Sequence, residues 1–99
     1  MSEKVTVTAI LRAKPGKELE LRKFLLGLRP PTLAEKGCIN YDLHESLSEP
    51  GLFLFHENWA SRADLDAHGK SPHLLEWRKR SADLLAEPGQ VVRWTEIAS

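Results

Sequence analysis

The sequence predicts an α+β domain in which helices cover one face of a four-stranded antiparallel sheet. Three observations carry that expectation. Val5, Val7, Ala9 and Leu11 alternate with Thr6, Thr8, Ile10 and Arg12 up to a Pro15-Gly16 turn, after which apolar residues recur at helical spacing. Two strand-like runs, Cys38 to Ser46 and Leu52 to Ala60, are separated by the turn-rich segment Leu47-Ser48-Glu49-Pro50-Gly51, the pattern of an antiparallel hairpin. A second helical stretch then leads through Pro88-Gly89 to a last apolar run. The resulting order, β-α-β-β-α-β, is that of the ferredoxin-like arrangement.

The first helix starts at Lys17, with Leu19, Phe24, Leu25 and Leu28 on its apolar side and Glu18 and Glu20 near the positive end of its dipole. Pro30-Pro31 is expected to break or kink it, because proline lacks an N–H and clashes with the preceding turn. A second helical piece from Thr32 to Lys36 then stops at Gly37. After the hairpin, Ser61 reads as an N-cap with Asp64 three residues on, opening a short helix through Leu65 and His68 that Gly69 ends. Ser71-Pro72 starts the next helix, since proline is tolerated in the first turn, and Leu74, Trp77, Leu84 and Leu85 line it. Val91 to Ile97 supplies the last strand. No linker, repeat or low-complexity tract interrupts residues 1–99, which therefore read as a single domain.

A chain of 99 residues buries a smaller fraction of its surface than a larger one, so some apolar surface is expected to be covered by a partner subunit. The second hairpin strand says which. Phe53, Phe55 and Trp59 point one way and Leu52 and Leu54 the other, whereas a solvated face should alternate cleanly to polar. Two apolar faces with helices enough for one imply a homodimer joined sheet to sheet; a monomer with a partly wet sheet is the alternative.

Lys+Arg and Asp+Glu balance at 14 each, which removes the electrostatic argument for nucleic acid or a membrane as partner. The one cysteine, Cys38, forms no internal disulfide and suits a reducing, cytoplasmic location. The N-terminal residues lack the apolar core of a secretory signal, and no stretch is long enough to span a bilayer. No Cys/His cluster, His-x-x-x-His spacing or Gly-rich phosphate loop is present. The step from His68 to His73 is also wrong for one helix face, so neither a metal nor another cofactor is expected.

Gly37-Cys38-Ile39-Asn40-Tyr41, Phe53-x-Phe55-x-Glu57-x-Trp59, Ala63-x-Leu65-x-Ala67-His68 and Ser71-Pro72-His73 follow one another in the chain. In that order they resemble the antibiotic-biosynthesis monooxygenase family, within the dimeric α+β barrel superfamily. The resemblance implies a ferredoxin-like protomer, two sheets meeting in a dimer, and a pocket between the sheet and helices of each protomer. Activities in and near that family include oxygenation of quinols and polyketide aromatics, haem breakdown and isomerisation of small metabolites. Two departures matter. Polyketide-oxidising members pair the strand tryptophan with an asparagine where this chain has Phe55. Haem-degrading members carry an asparagine and an axial histidine where Ala9 and about Arg78 align, which disfavours haem breakdown.

His68 is the candidate general base, because an imidazole titrates near neutrality and removes a phenolic proton at working pH. Its alternative is a helix-end histidine facing the dipole. Trp59, at the strand end, is the second catalytic candidate and otherwise a core aromatic. Glu57, Phe55, Tyr41 and His73 complete the expected substrate-binding set. A carboxylate among Phe53, Phe55 and Trp59 must be paired, protonated or solvated, so Glu57 also reads as a structural partner. His73 also reads as a capping group at its helix start. His44 and His56 are placed to face each other across the hairpin, and Asn58 on the sheet face opposite Trp59.

The expected function is cofactor-independent monooxygenation of a small quinol or phenolic aromatic by molecular oxygen. The alternatives are an isomerase of a small carbonyl metabolite and a non-catalytic dimeric module that binds a small molecule.

Overall fold

Seven elements follow one another in a computed structural model that describes residues 3–97. They are β1 (Val5–Arg12), α1 (Glu18–Leu33), β2 (Cys38–Glu45), β3 (Leu52–Trp59), α2 (Arg62–Gly69), α3 (Pro72–Leu84) and β4 (Gln90–Trp94). The sheet order is β2-β3-β1-β4 and every neighbouring pair is antiparallel. This is the ferredoxin-like topology expected from the sequence, its second helical stretch being the pair α2 and α3.

Strand alternation decides the two faces. In β3, Phe53, Phe55, Glu57 and Trp59 are buried, while Leu52, Leu54, His56 and Asn58 are half-buried on the other side. Phe53 and Phe55 pack with Ala9 and Leu11 of β1, Leu21, Leu25 and Leu28 of α1, and Leu84 of α3, while Trp59 packs with Val5, Val7 and Leu65. Each large apolar side chain sealed there contributes roughly 1.5–3 kcal/mol. Ser61 caps α2 as expected: its Oγ accepts from the Asp64 amide at 3.1 Å and donates to the Asp64 carboxylate at 3.0 Å.

The outer sheet face is part polar and part apolar. Asn58 accepts from the Thr6 hydroxyl at 2.6 Å and donates to Asn40 Oδ1 at 2.8 Å, and the Trp94 indole donates to Thr8 Oγ1 at 2.8 Å. Ile10 and Trp94 are exposed beside them. Among the described residues no helix is long and apolar enough to cross a membrane.

Four local expectations need correction. The helix α1 runs unbroken through Pro30-Pro31 to Leu33. The carbonyls those prolines leave without donors, four residues back, belong to Leu26 and Gly27, which are exposed to water, while the buried stripe Leu21-Leu25-Leu28-Thr32 holds the helix across the pair. The helical piece to Lys36 is instead a turn ending at Gly37, whose φ is 83° and whose absent Cβ would fall 2.2 Å from Asp64 Oδ2. The last strand stops at Trp94 rather than Ile97, because its partner β1 begins at Val5 and Thr6 takes Trp94. His44 and His56 do not oppose each other: His56 pairs with Asp42 and His44 with Leu54.

One irregularity shapes the site. Cys38 pairs with Trp59 and Asn40 with Asn58, so Ile39 is an extra residue in β2. The bulge puts Cys38 and Tyr41, three residues apart, on the same inner face. Simple alternation would have separated them.

Candidate active site

Between the inner sheet face and the helices lies a cavity of about 240 Å³. An apolar cavity of about 150 Å³ holds benzene, so this one has room for a substituted ring. Its sheet side includes Val7, Ala9, Leu11, Tyr41, Phe55 and Glu57, and its helix side includes Leu25, Leu28, Leu65, His68 and Trp77. Arg78 and Arg93, both exposed, complete the wall. Arg93 reaches Asp66 at 3.5 Å, whereas Arg78 makes no ion pair among the described residues.

Four of the six residues singled out from the sequence border this cavity: His68, Glu57, Phe55 and Tyr41. Trp59 does not. Its indole is sealed, packed 4.5 Å from the His68 ring, and its N–H donates to Glu57 Oε1 at 2.9 Å. It therefore backs the two polar residues instead of forming the wall. The partner left open for Glu57 is thus an indole. His73 also lies off the cavity, along a groove between α1 and α3 that includes Phe24 and Glu76.

Burial sets the protonation of the polar groups. It pushes the Glu57 carboxyl up to about 7, against the Trp59 hydrogen bond and with help from the charge of Glu35. Burial lowers the pKa of His68, and the hydrogen bond and charge of Glu35 oppose that without reversing it, so the imidazole is neutral at pH 7. The Tyr41 phenol is pushed far above its usual range, mainly by burial and then by Glu57, and stays protonated while it stacks on Phe55 at 4.3 Å. Cys38 is pushed up to about 11 by burial and by the nearby carboxylates Glu35, Glu57 and Asp42, which suppresses thiolate chemistry.

Sequence reasoning passed over Glu35. It sits in the turn after α1, and its Oε2 lies 2.7 Å from His68 Nδ1 and 2.8 Å from His73 Nε2. The three ligand-type atoms lie within 4.8 Å of one another. The cluster that spacing seemed to forbid thus exists, because His68 and His73 come from different helices and need share no helix face. Arg78 and Arg93 were also missed as cavity residues; for Arg93, alternation in β4 beside the inward Val7 was the available signal.

Residues 4–80 match the family described as antibiotic biosynthesis monooxygenase. The chain belongs to that family. A Mycobacterium tuberculosis relative, "Putative monooxygenase Rv0793", is 41% identical over 88 residues, covering 89% of this chain and 86% of the relative. Its solved structure superposes with a TM-score of 0.91 at 35% identity over 97% of both chains. The structure of PA3566 from Pseudomonas aeruginosa gives a TM-score of 0.92 at 32% identity over 99% of this chain and 98% of that one. The Synechocystis protein "Uncharacterized protein sll1783" is 36% identical over 87 residues; the match takes in 88% of this chain and 59% of the length of that relative. This antibiotic biosynthesis monooxygenase family member thus shares its fold and most of its length with a protein named a "putative monooxygenase".

Proposed function

We propose that this family member is a cofactor-independent monooxygenase of a small quinol or phenol, with His68 as the base. One observation carries the reading: a buried imidazole, its pKa lowered by that burial, borders a small apolar cavity, and its Nε2 has no hydrogen-bond partner among the described residues. A phenolic hydroxyl in the cavity gives its proton to Nε2, and the phenolate supplies the electrons that reduce oxygen. A C–O bond forms at a ring carbon that carries hydrogen, para to the phenolate in a phenol and ortho to it in a quinol, whose para carbon already bears oxygen. Cleavage of the O–O bond with loss of the ring hydrogen leaves a quinone carbonyl and releases water, so one oxygen atom enters the product and the other leaves as water. The protein contributes the base and the orientation. Arg78, a cation on the wall without an ion pair among the described residues, favours the anionic ring. Phe55 stands where polyketide-oxidising relatives carry asparagine, which is why a simpler quinol or phenol is the better substrate class.

Oxygen uptake by the purified protein over a panel of reduced quinols and naphthols is the test, and at least one is expected to be consumed faster than in buffer. Turnover of a carbonyl metabolite without oxygen uptake would favour the isomerase instead. Binding with no turnover would favour the non-catalytic module.

We also propose that the outer sheet face joins two copies of the chain. The exposure of Ile10 and Trp94 beside half-buried Leu52 and Leu54 on the face that carries no helix supports this. Light scattering at micromolar concentration is expected to give twice the chain mass of 11.2 kDa; a clean monomer would overturn the dimer.

A further inference from the structure

We infer that Glu35 is the positioning residue of this site, holding a proton on His68 Nδ1 and so leaving Nε2 bare toward the cavity. The inference rests on the reading of His68 as the base, but its geometry is independent of any substrate. A carboxylate accepts hydrogen bonds and donates none, so the 2.7 Å contact from Glu35 Oε2 requires the proton on Nδ1. In a neutral imidazole the other nitrogen is then the lone-pair nitrogen, and which nitrogen that is follows from the bond the first one makes.

The far side of the cluster holds the carboxylate in place. Ser71 Oγ donates to the His68 carbonyl at 2.6 Å, so toward His73 Nε2, 3.3 Å away, that hydroxyl acts as an acceptor. Glu35 Oε2 accepts from the same nitrogen at 2.8 Å, which makes His73 Nε2 a donor. Two imidazole N–H groups therefore converge on one carboxylate oxygen. Backbone bonds fix the rest of Glu35: its amide donates to the Thr32 carbonyl at 3.0 Å and its carbonyl accepts from the Cys38 amide at 3.3 Å. The ring of His68 is held between Trp59 and Tyr41, 4.5 and 5.5 Å away between centroids. Orientation of a base by a third group, with the tautomer set by that group, is the logic of a hydrolase triad used here without a nucleophile.

Nitrogen-15 NMR of the imidazole rings at pH 8 tests this directly. In the wild-type protein, neutral His68 is expected in the Nδ1–H form. Glu35→Ala is expected to move it toward Nε2–H, whereas His73→Gln, which keeps a donor to Glu35, leaves the Nδ1–H form in place. With an identified substrate, Glu35→Ala is expected to lower kcat about a hundredfold, within the range spanned by general-base effects. A wild-type His68 in the Nε2–H form, or an unchanged tautomer in Glu35→Ala, overturns the inference. The wild-type spectrum decides even if Glu35→Ala does not fold. Failure of the base reading is separate: it would show as a correct tautomer with full activity after His68 is replaced.

Discussion

Replacing His68 by glutamine is expected to lower oxygen uptake on the correct aromatic by roughly two to four orders of magnitude, the usual worth of a positioned general base. Glutamine is the informative change because His68 is not the lightly packed helix-end residue that its place before Gly69 suggests. It is 5% exposed and lies against Trp59. Alanine would open a hole beneath the indole and leave Glu35 with one donor fewer, mixing a stability loss with the kinetic one. Glutamine keeps most of the volume and an N–H for Glu35 but has no basic nitrogen. His44→Gln, on the opposite sheet face, changes the rate far less. In the wild type, kcat/KM is expected to rise with pH as His68 loses its proton, the lowered pKa placing that rise below the imidazole's ordinary value of 6.5. Measured kcat and KM for the two variants decide the matter: full activity in His68→Gln would end the acid–base role.

Glu57→Gln is expected to stabilise the protein, and to do so only as the pH rises. In the folded chain the Glu57 carboxyl is pushed up to about 7 from an ordinary 4.5. The native state thus binds more protons than the unfolded chain between those values. Stability falls as pH climbs through that window and is flat above it. The full difference corresponds to about 3 kcal/mol at 1.36 kcal/mol per unit, taken as an order of magnitude. Glutamine cannot ionise, yet keeps an oxygen to accept from the Trp59 indole. The variant and wild type should therefore match near pH 4 and diverge through neutrality by up to about 3 kcal/mol. His68 works in the opposite sense: its lowered pKa makes stability grow as pH rises toward 6.5, and both proteins share that trend, so it cancels in the difference. Urea unfolding from pH 4 to 8 measures it. A gap that does not change with pH would show that Glu57 ionises normally.

The elements were legible because their signals are local. Period-2 alternation named β1, and a switch to helical spacing after Pro15-Gly16 named α1. Ser61 and Pro72 marked the starts of α2 and α3 through backbone groups within one turn. The same alternation put Phe55 and Glu57 on one inward face, and His68 was singled out by its imidazole chemistry together with the family resemblance. Pro30-Pro31 misled because the local cost of proline was weighed without the buried stripe that carries α1 past it. The bulge at Ile39 is invisible to a reading by period, since one extra residue changes the face of everything on one side of it.

Local chemistry in the chain thus sufficed for the order of the elements and the inward face of β3, because each depends on residues within one turn or one strand, whereas the choice of His68 leaned on the family resemblance as well. Only folding decided what surrounds that histidine. Glu35 lies 33 residues before His68 in sequence and 2.7 Å from it in space. Trp59, open in the sequence as a catalytic candidate or a core aromatic, is sealed behind Glu57 and His68. Hydrogen-bond partners, burial and the protonation they impose depend on which elements meet across the core, and no periodicity within one element carries that information.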